Sequence, residues 1–217
     1  MTDAADLLAV PWFAGLDTAA RQDLAACGVW RRRRAGEWLY GEGDEETGLV
    51  AIVQGGVYLY AAVPGGGDAL FGFVAAGGML GQSVTLGGGP RLVTAICASD
   101  CAVFGVSDSG LQRAVEAHPS ILRALMTFAY AQQRITIETV ATLVGLPPRK
   151  RLIARLLTLA GADGRVPIPQ AALAEMIGAS RKAVNVWLGE LERAGLVTQA
   201  YRSIGVVDRG RLKRLLE

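Results

Sequence analysis

Arg181, Lys182 and Asn185 follow Ser180 within little more than one helical turn. A guanidinium fork, an ammonium and a carboxamide are the groups that pair with phosphate oxygens and with the edges of bases. They do so together only if one rigid element presents them, and the neighbouring residues supply such an element. Ser180 suits the N-cap of a helix opening at Arg181 and running to about Ala194. Val184, Leu188 and Leu191 recur at spacings of four and three, so they face a core. Arg181, Lys182, Asn185 and Val186 are left on or near the outward face of the first turns.

The flanking residues extend the pattern. Pro169 stands at the entrance of a shorter helix, Gln170 to Ile177, where its missing N–H costs nothing. Leu173, Ala174 and Ile177 give that helix one apolar face. Gly178 can take the left-handed conformation that ends a helix and turns the chain. After Gly195, Leu196-Val197-Thr198 begins a strand. Helix, tight turn, helix and strand pair predict a winged helix-turn-helix, whose second helix enters the DNA major groove by its first turns. Two short helices about a glycine also occur in structural bundles. The cap, the basic first turn and the wing-like strand together favour the DNA-reading fold.

Charge divides in the same sense. Net charge is only +2, but residues 149–217 hold 13 basic against 6 acidic side chains, net +7, and residues 1–148 hold 9 against 14, net −5. The basic third puts phosphate-attracting potential on the segment with the helix pair. An apolar content of 51% argues for packed cores. No run of about 18 apolar residues lacks Gly and charge, and the N-terminus has acids where a signal peptide needs bases. A cytoplasmic protein with no membrane partner is expected.

Catalytic and metal chemistry find little support. Cys27, Cys97 and Cys101 fall short of the four thiolates of a cysteine-held iron–sulfur cluster. Cys97 and Cys101 lie in an apolar run and read as core. The single histidine, His118, lacks evident partners for a metal. Leu-Gly-Gly-Gly-Pro at 86–90 mimics a phosphate loop without the Lys-Ser/Thr that must follow. With no paired carboxylates at catalytic spacing and no nucleophile elbow, no catalytic or metal site is expected.

The N-terminal half must position whatever the C-terminal helices do. Short apolar runs punctuated by glycine, at 38–40, 49–53, 57–60, 70–74, 93–97 and 102–104, predict an antiparallel jelly-roll barrel. Gly55-Gly56 and Pro64 to Asp68 read as hairpin turns, and no helix of useful length is expected among these strands. Arg31 to Arg34 suit an exposed strand edge, where charge discourages aggregation. After Pro119 the chain can run helical for about 25 residues, or ~38 Å. One stripe is Ile121, Leu125, Phe128, Gln132 and Ile135; a second is Leu122, Met126, Ala129, Gln133, Thr136, Val140 and Leu143. Two faces suggest that one packs on the barrel and the other on a partner, and a symmetric dimer through residues 119–144 satisfies that. A single wide core face is the alternative. Gly145-Leu146-Pro147-Pro148 breaks the helix. The expected fold is α+β: a barrel domain at 1–107, a long dimerisation helix and hinge at 108–146, and a winged helix-turn-helix at 147–217.

In this order of elements the chain resembles the Crp/Fnr family of bacterial transcription regulators. The strings that carry the likeness are Gly41-Glu42-Gly43-Asp44, Val53-Gln54-Gly55-Gly56-Val57, Gly81 with Arg91, and Ser180-Arg181 through Leu191-Glu192. The resemblance implies a homodimer on double-stranded DNA, with half-sites about one helical turn (~34 Å) apart and RNA polymerase as a protein partner. It sets Ser180, Arg181 and Lys182 at the start of the recognition helix. There Arg181 suits guanine, Lys182 guanine or phosphate, and Asn185 adenine or phosphate, while Val186 offers only a methyl contact. Gln170, Tyr201 and Arg202 are implied backbone contacts.

The resemblance also implies a cyclic-nucleotide-binding-like barrel, with Gly81, Gln82, Ser83, Arg91, Leu92 and Thr136 at the effector pocket. Gln82 stands in place of a glutamate that accepts from a ribose hydroxyl, and Leu92 in place of a serine or threonine that donates to phosphate. Tight binding of cyclic AMP is not expected from this set, and it leaves the identity of any small-molecule effector open. The alternatives are a cyclic-nucleotide-responsive regulator, or a sensing or interaction module with impaired DNA readout, as Val186 hints. Loss of two partners worth ~1.5–3 kcal/mol each predicts no calorimetric binding of cyclic AMP or cyclic GMP at micromolar ligand. A sub-micromolar dissociation constant contradicts this reading of Gln82 and Leu92.

Overall fold

In the computed structural model the described residues are 4–217; the side chains of residues 4, 5, 83 and 84 lie outside the description, and with them the role expected of Ser83. The chain divides into two units, Met1–Asp68 with Gly72–Arg134, and Ala69–Phe71 with Ile135–Glu217.

The first unit opens with a 3₁₀ turn (Ala4–Ala9) and two helices, α1 (Pro11–Ala14) and α2 (Thr18–Ala26). Asp17 caps α2 by accepting from Ala20 N at 2.9 Å. Eight strands follow: β1 (Gly28–Arg33), β2 (Trp38–Tyr40), β3 (Gly48–Gln54), β4 (Gly56–Ala62), β5 (Asp68–Ala75), β6 (Met79–Leu80), β7 (Thr94–Cys97) and β8 (Cys101–Ser107). They form two four-stranded sheets, ordered β1-β8-β3-β6 and β2-β7-β4-β5, with antiparallel pairing. Strand β1, with Arg31 to Arg33, lies at a sheet edge, as its charge leads one to expect.

Strand β3 shows why its sequence is apolar without interruption. Leu49 and Ala51 pack with Leu7, Val10, Phe13, Leu24, Leu111, Ile121 and Leu125 on the helical side. Ile52, with Val50 beside it, packs with Val57, Ala95, Cys97, Cys101 and Val103 between the sheets. A strand covered on both faces needs apolar residues at both phases of its two-residue period.

Two expectations for this region fail. Gly55-Gly56 makes no hairpin, because β3 and β4 belong to different sheets. Gly55 instead turns the chain from one sheet to the other at φ +90°, with Asp100 O only 2.4 Å from where a Cβ would stand. The Pro64–Asp68 segment does join neighbouring strands, β4 and β5. Its turn closes with Gly66 N donating to Val63 O at 3.0 Å. The second correction is α3 (Gln82–Gly87), a helix among the strands. A segment this short, set between glycines, carries too few apolar positions for a helical period to be read.

Helix α4 (Asp108–Ala117) is capped by Ser107, and α5 runs over Ser120–Gly145. His118, at the end of α4, places Nε2 2.7 Å from Asp23 Oδ2 of α2. The two stripes of α5 differ as their sequence suggests. Ile121 and Leu125 are buried, whereas Met126 and Val140 are 60% and 54% exposed.

The second unit continues from Pro147, at the N-cap position of α6 (Pro148–Leu159). Then come β9 (Arg165–Val166), α7 (Gln170–Met176), α8 (Arg181–Arg193), β10 (Val197–Ala200), β11 (Ser203–Val206) and α9 (Arg209–Arg214). The sheet order is β10-β11-β9. Leu152 and Leu156 of α6, Leu173 of α7, Val184 and Leu188 of α8, Ile168 and Leu212 have no exposed surface. Replacing Leu188 by Ala is expected to cost about 2–5 kcal/mol. Chemical denaturation followed by a probe in this unit should show its transition at lower denaturant.

Candidate functional site

The turn between α7 and α8 sets the direction of α8. Gly178 takes φ +64°. Ala179 N donates back to Ala174 O at 2.9 Å, and Gly178 N to Glu175 O at 3.1 Å, closing the end of α7. Arg151 of α6 adds a bond from Nη1 to Ile177 O at 3.4 Å. Ser180 then caps α8, its Oγ accepting from Ala183 N at 3.2 Å. Val184, Leu188 and Leu191 are buried. Arg181, Lys182, Asn185 and Val186, in the first two turns of the helix, are all exposed. Arg181 and Asn185, four residues apart, share one line along the helix.

The wing turn carries Tyr201, 90% exposed, and Arg202, also exposed. Arg202 holds φ +54°, a left-handed conformation that costs a side-chain-bearing residue roughly 1–2 kcal/mol. Gln170 lies at the start of α7, half-buried between Asn185 and the wing. Both ends of its carboxamide are engaged: Oε1 accepts from Asn185 Nδ2 at 3.1 Å, and Nε2 donates to Gln199 Oε1 at 2.6 Å. Gln199 in turn donates from Nε2 to Glu192 Oε2 at 2.8 Å. Sequence reasoning passed over Gln199 and Glu192. They are polar residues on different elements, and only the register of β10 against α8 brings them together. Arg149 of α6 pairs with Glu190 of α8 at 2.7 Å, a partly exposed contact of modest worth.

The residues assigned to an effector occupy a different setting in the first unit. Arg91 is buried, at 6% exposure. Its Nε donates to Glu46 O at 3.2 Å and its Nη1 to Gly48 O at 2.9 Å. The guanidinium lies over the Tyr40 ring, 4.3 Å from its centroid. Burial pushes the Tyr40 phenol up to about 12, against the pull of Arg91 the other way. Arg91 N donates to Asp44 O, and Gly43 N to Arg91 O, so the Gly-Glu-Gly-Asp loop is strapped to this residue. Asp44 Oδ2 closes that loop by accepting from Gly41 N at 2.7 Å.

Gly81 takes φ +95°, and a Cβ there would stand 2.0 Å from Gly48 O and 2.6 Å from Arg91 Nη1. Gln82 Oε1 is buried and has no hydrogen-bond partner among the described residues. Leu92 is 63% exposed. Thr136, exposed on α5, falls in the second unit. A cavity of about 760 Å³ opens in the first unit between the 43–47 loop, α3 with its following glycines, α4 and the start of α5. Thr47, Asp108, Gln112, Leu111 and Leu125 line it; Gly81, Gln82, Arg91 and Leu92 do not. Among the described residues no group of side chains suited to a metal gathers, and no helix is long and apolar enough to cross a membrane.

Comparison with known proteins covers both units. Residues 150–215 match the Crp-like helix-turn-helix domain, and residues 30–118 the cyclic nucleotide-binding domain. The nitrogen fixation regulation protein FixK of Bradyrhizobium diazoefficiens is 25% identical over 209 residues, covering 92% of this chain and 87% of that one. The CRP-like cAMP-activated global transcriptional regulator of Mycobacterium tuberculosis is 25% identical over 188 residues, covering 82% and 84%. Among solved structures, FixK2 from Bradyrhizobium japonicum superposes with a TM-score of 0.76 at 22% identity, covering 87% of this chain and 96% of that one.

Arg91 is held by carbonyls, with its aromatic neighbour as a seat. Arg91→Ala removes the donors to two carbonyls and is expected to destabilise the first unit by about 1–3 kcal/mol or more. Arg91→Lys should recover little, since an ammonium cannot reproduce the fork. Thermal denaturation of the two variants checks this; full stability in Arg91→Ala contradicts the structural role.

Proposed function

Because the chain belongs to the Crp/Fnr family of DNA-binding transcription regulators, we propose that it works as a homodimer, with its two α8 helices entering successive major grooves of a pseudo-palindromic operator. The observation that carries this is the first turn of α8. Val184 behind it is fully buried, and Arg181, Lys182 and Asn185 stand exposed. Arg181 reads guanine through its bidentate fork, and Lys182 takes guanine or a phosphate. Tyr201 and Arg202 of the wing contact the backbone. The strained conformation of Arg202, where glycine would sit at no cost, supports a use for its guanidinium.

The dimer is supported by α5. Leu122, Met126, Tyr130, Ile137, Val140 and Val144 are each at least 41% exposed along this one helix. Steps of three, four and seven residues between them are those of a helix-to-helix seam. A second copy of the chain covers the stripe symmetrically and sets the spacing of the two reading helices.

The effector in this reading is a small molecule other than tightly held cyclic AMP. Arg91 has two donors engaged by carbonyls, and Leu92 offers no donor. The buried, unpartnered Gln82 Oε1 favours a ligand bearing a hydroxyl or amide N–H. Such a ligand acts by favouring one spacing of the recognition helices over another.

Arg181→Ala is expected to weaken operator binding by roughly 1–3 kcal/mol and to relax selectivity at one base position. Gel-shift titration with operator and random duplex in parallel tests this. A variant that binds both as the parent does removes Arg181 from the interface.

A further inference from the structure

The hydrogen bonds that end on Asn185 run in one direction. Glu192, on the last turn of α8, accepts twice from Gln199 of β10, from its backbone N and from its Nε2, each at 2.8 Å. A carboxylate has no proton to give, so Gln199 must turn its nitrogen to Glu192 and its oxygen away. That oxygen receives Gln170 Nε2. Gln170 is thereby turned as well, its own oxygen toward α8, where Asn185 Nδ2 donates to it. Asn185 is exposed, and its Oδ1 accepts no hydrogen bond among the described residues.

We propose that Glu192, acting through Gln199 and Gln170, holds the Asn185 carboxamide with its oxygen outward, so that position 185 selects a base bearing an amino group in the major groove. This rests on the docking of α8 in that groove. Adenine N6 and cytosine N4 are the amino donors there; guanine and thymine present carbonyl oxygens. Adenine suits best, because the second N–H of Asn185 Nδ2 remains for its N7.

The chain of amides cannot invert one member at a time. Turning Asn185 over sets its oxygen against Gln170 Oε1. Turning Gln170 to relieve that sets two oxygens together at Gln199. Turning Gln199 sets its oxygen against a carboxylate, which cannot answer by turning. Glu192 is therefore a positioning residue for base choice, although it stands at the far end of α8 from the reading turn.

Selection from a randomised duplex pool with the full chain, followed by sequencing, measures the preference. Asn185→Ala first identifies the base pair that depends on position 185. There the parent is expected to favour adenine or cytosine over guanine or thymine by about ten-fold. Glu192→Gln keeps the shape, but Gln199 N holds its oxygen, so its nitrogen faces the Gln199 side chain and the three amides invert in turn. The preference should move to guanine or thymine by several-fold, about the worth of one neutral hydrogen bond. Selectivity at the Arg181 position and the thermal midpoint should not change. Should Glu192→Gln fail to fold, Gln199→Leu cuts the chain one link on, leaves Gln170 and Asn185 able to turn, and should bring the preference to within about two-fold. Gln170→Glu in the Glu192→Gln background moves the anchoring carboxylate beside Asn185. It should restore the amino preference while lowering affinity evenly across sequences, as negative charge near phosphates does. A parent that prefers guanine or thymine there, or a Glu192→Gln profile identical to the parent's, overturns the proposal and leaves DNA docking intact. A parent that selects no sequence overturns the docking and the proposal with it.

Discussion

The geometry of the second unit depends on the burial of one apolar stripe. Val184 and Leu188 have no exposed surface, and Leu191 has 3%. A helix with a period of 3.6 residues that buries those three turns Lys182 and Val186 away from the core and Asn185 to its flank, while Arg181, on the side of Leu188, is exposed at the first residue of the helix. The hydrophobic effect thus decides which side chains face outward, and at ~25 cal/mol per Å² of apolar surface it decides with energies that surface charges do not match. Gly178 and Ser180 add direction. The glycine turns the chain sharply enough for α7 and α8 to share a core, and the serine fixes the residue at which the helix begins.

The first unit is governed by close approach of backbone. Gly81 lies against Gly48 O and the Arg91 guanidinium, with no room for a Cβ between them. Arg91 can be buried because two carbonyls and the face of Tyr40 receive its charge and donors in place of water. An arginine so engaged braces the loop around Asp44. A ligand that recruited its fork would have to compete with these bonds.

Helix α5 has two apolar faces with different surroundings. Its first turns bury Ile121 and Leu125 in the core shared with α1, α2 and α4. Along most of its length large apolar residues also face outward, an arrangement that soluble monomers rarely keep uncovered. This helix is continuous from Ser120 to Gly145 and ends just before Pro147, which cannot extend it.

The helix-turn-helix was legible in sequence almost residue for residue, since period, cap and glycine are local signals. Helix α8 was expected from Arg181 to about Ala194 and runs Arg181–Arg193; α7 was expected to end at Ile177 and ends at Met176. The main strands were legible from their glycine punctuation. The sheet to which each strand belongs was not, and neither was the course of the chain at Gly55, because a turn within a sheet and a turn between sheets use the same residues. Sequence by itself determined which elements form and which face of each is apolar, for those follow from neighbours within a few positions. Only the tertiary structure decided that Arg91 is satisfied by carbonyls, that Leu92 faces solvent, and that Glu192 reaches Asn185 through Gln199 and Gln170. Those facts depend on which polar atoms the packing brings within 3 Å or so of one another, and no local spacing encodes that.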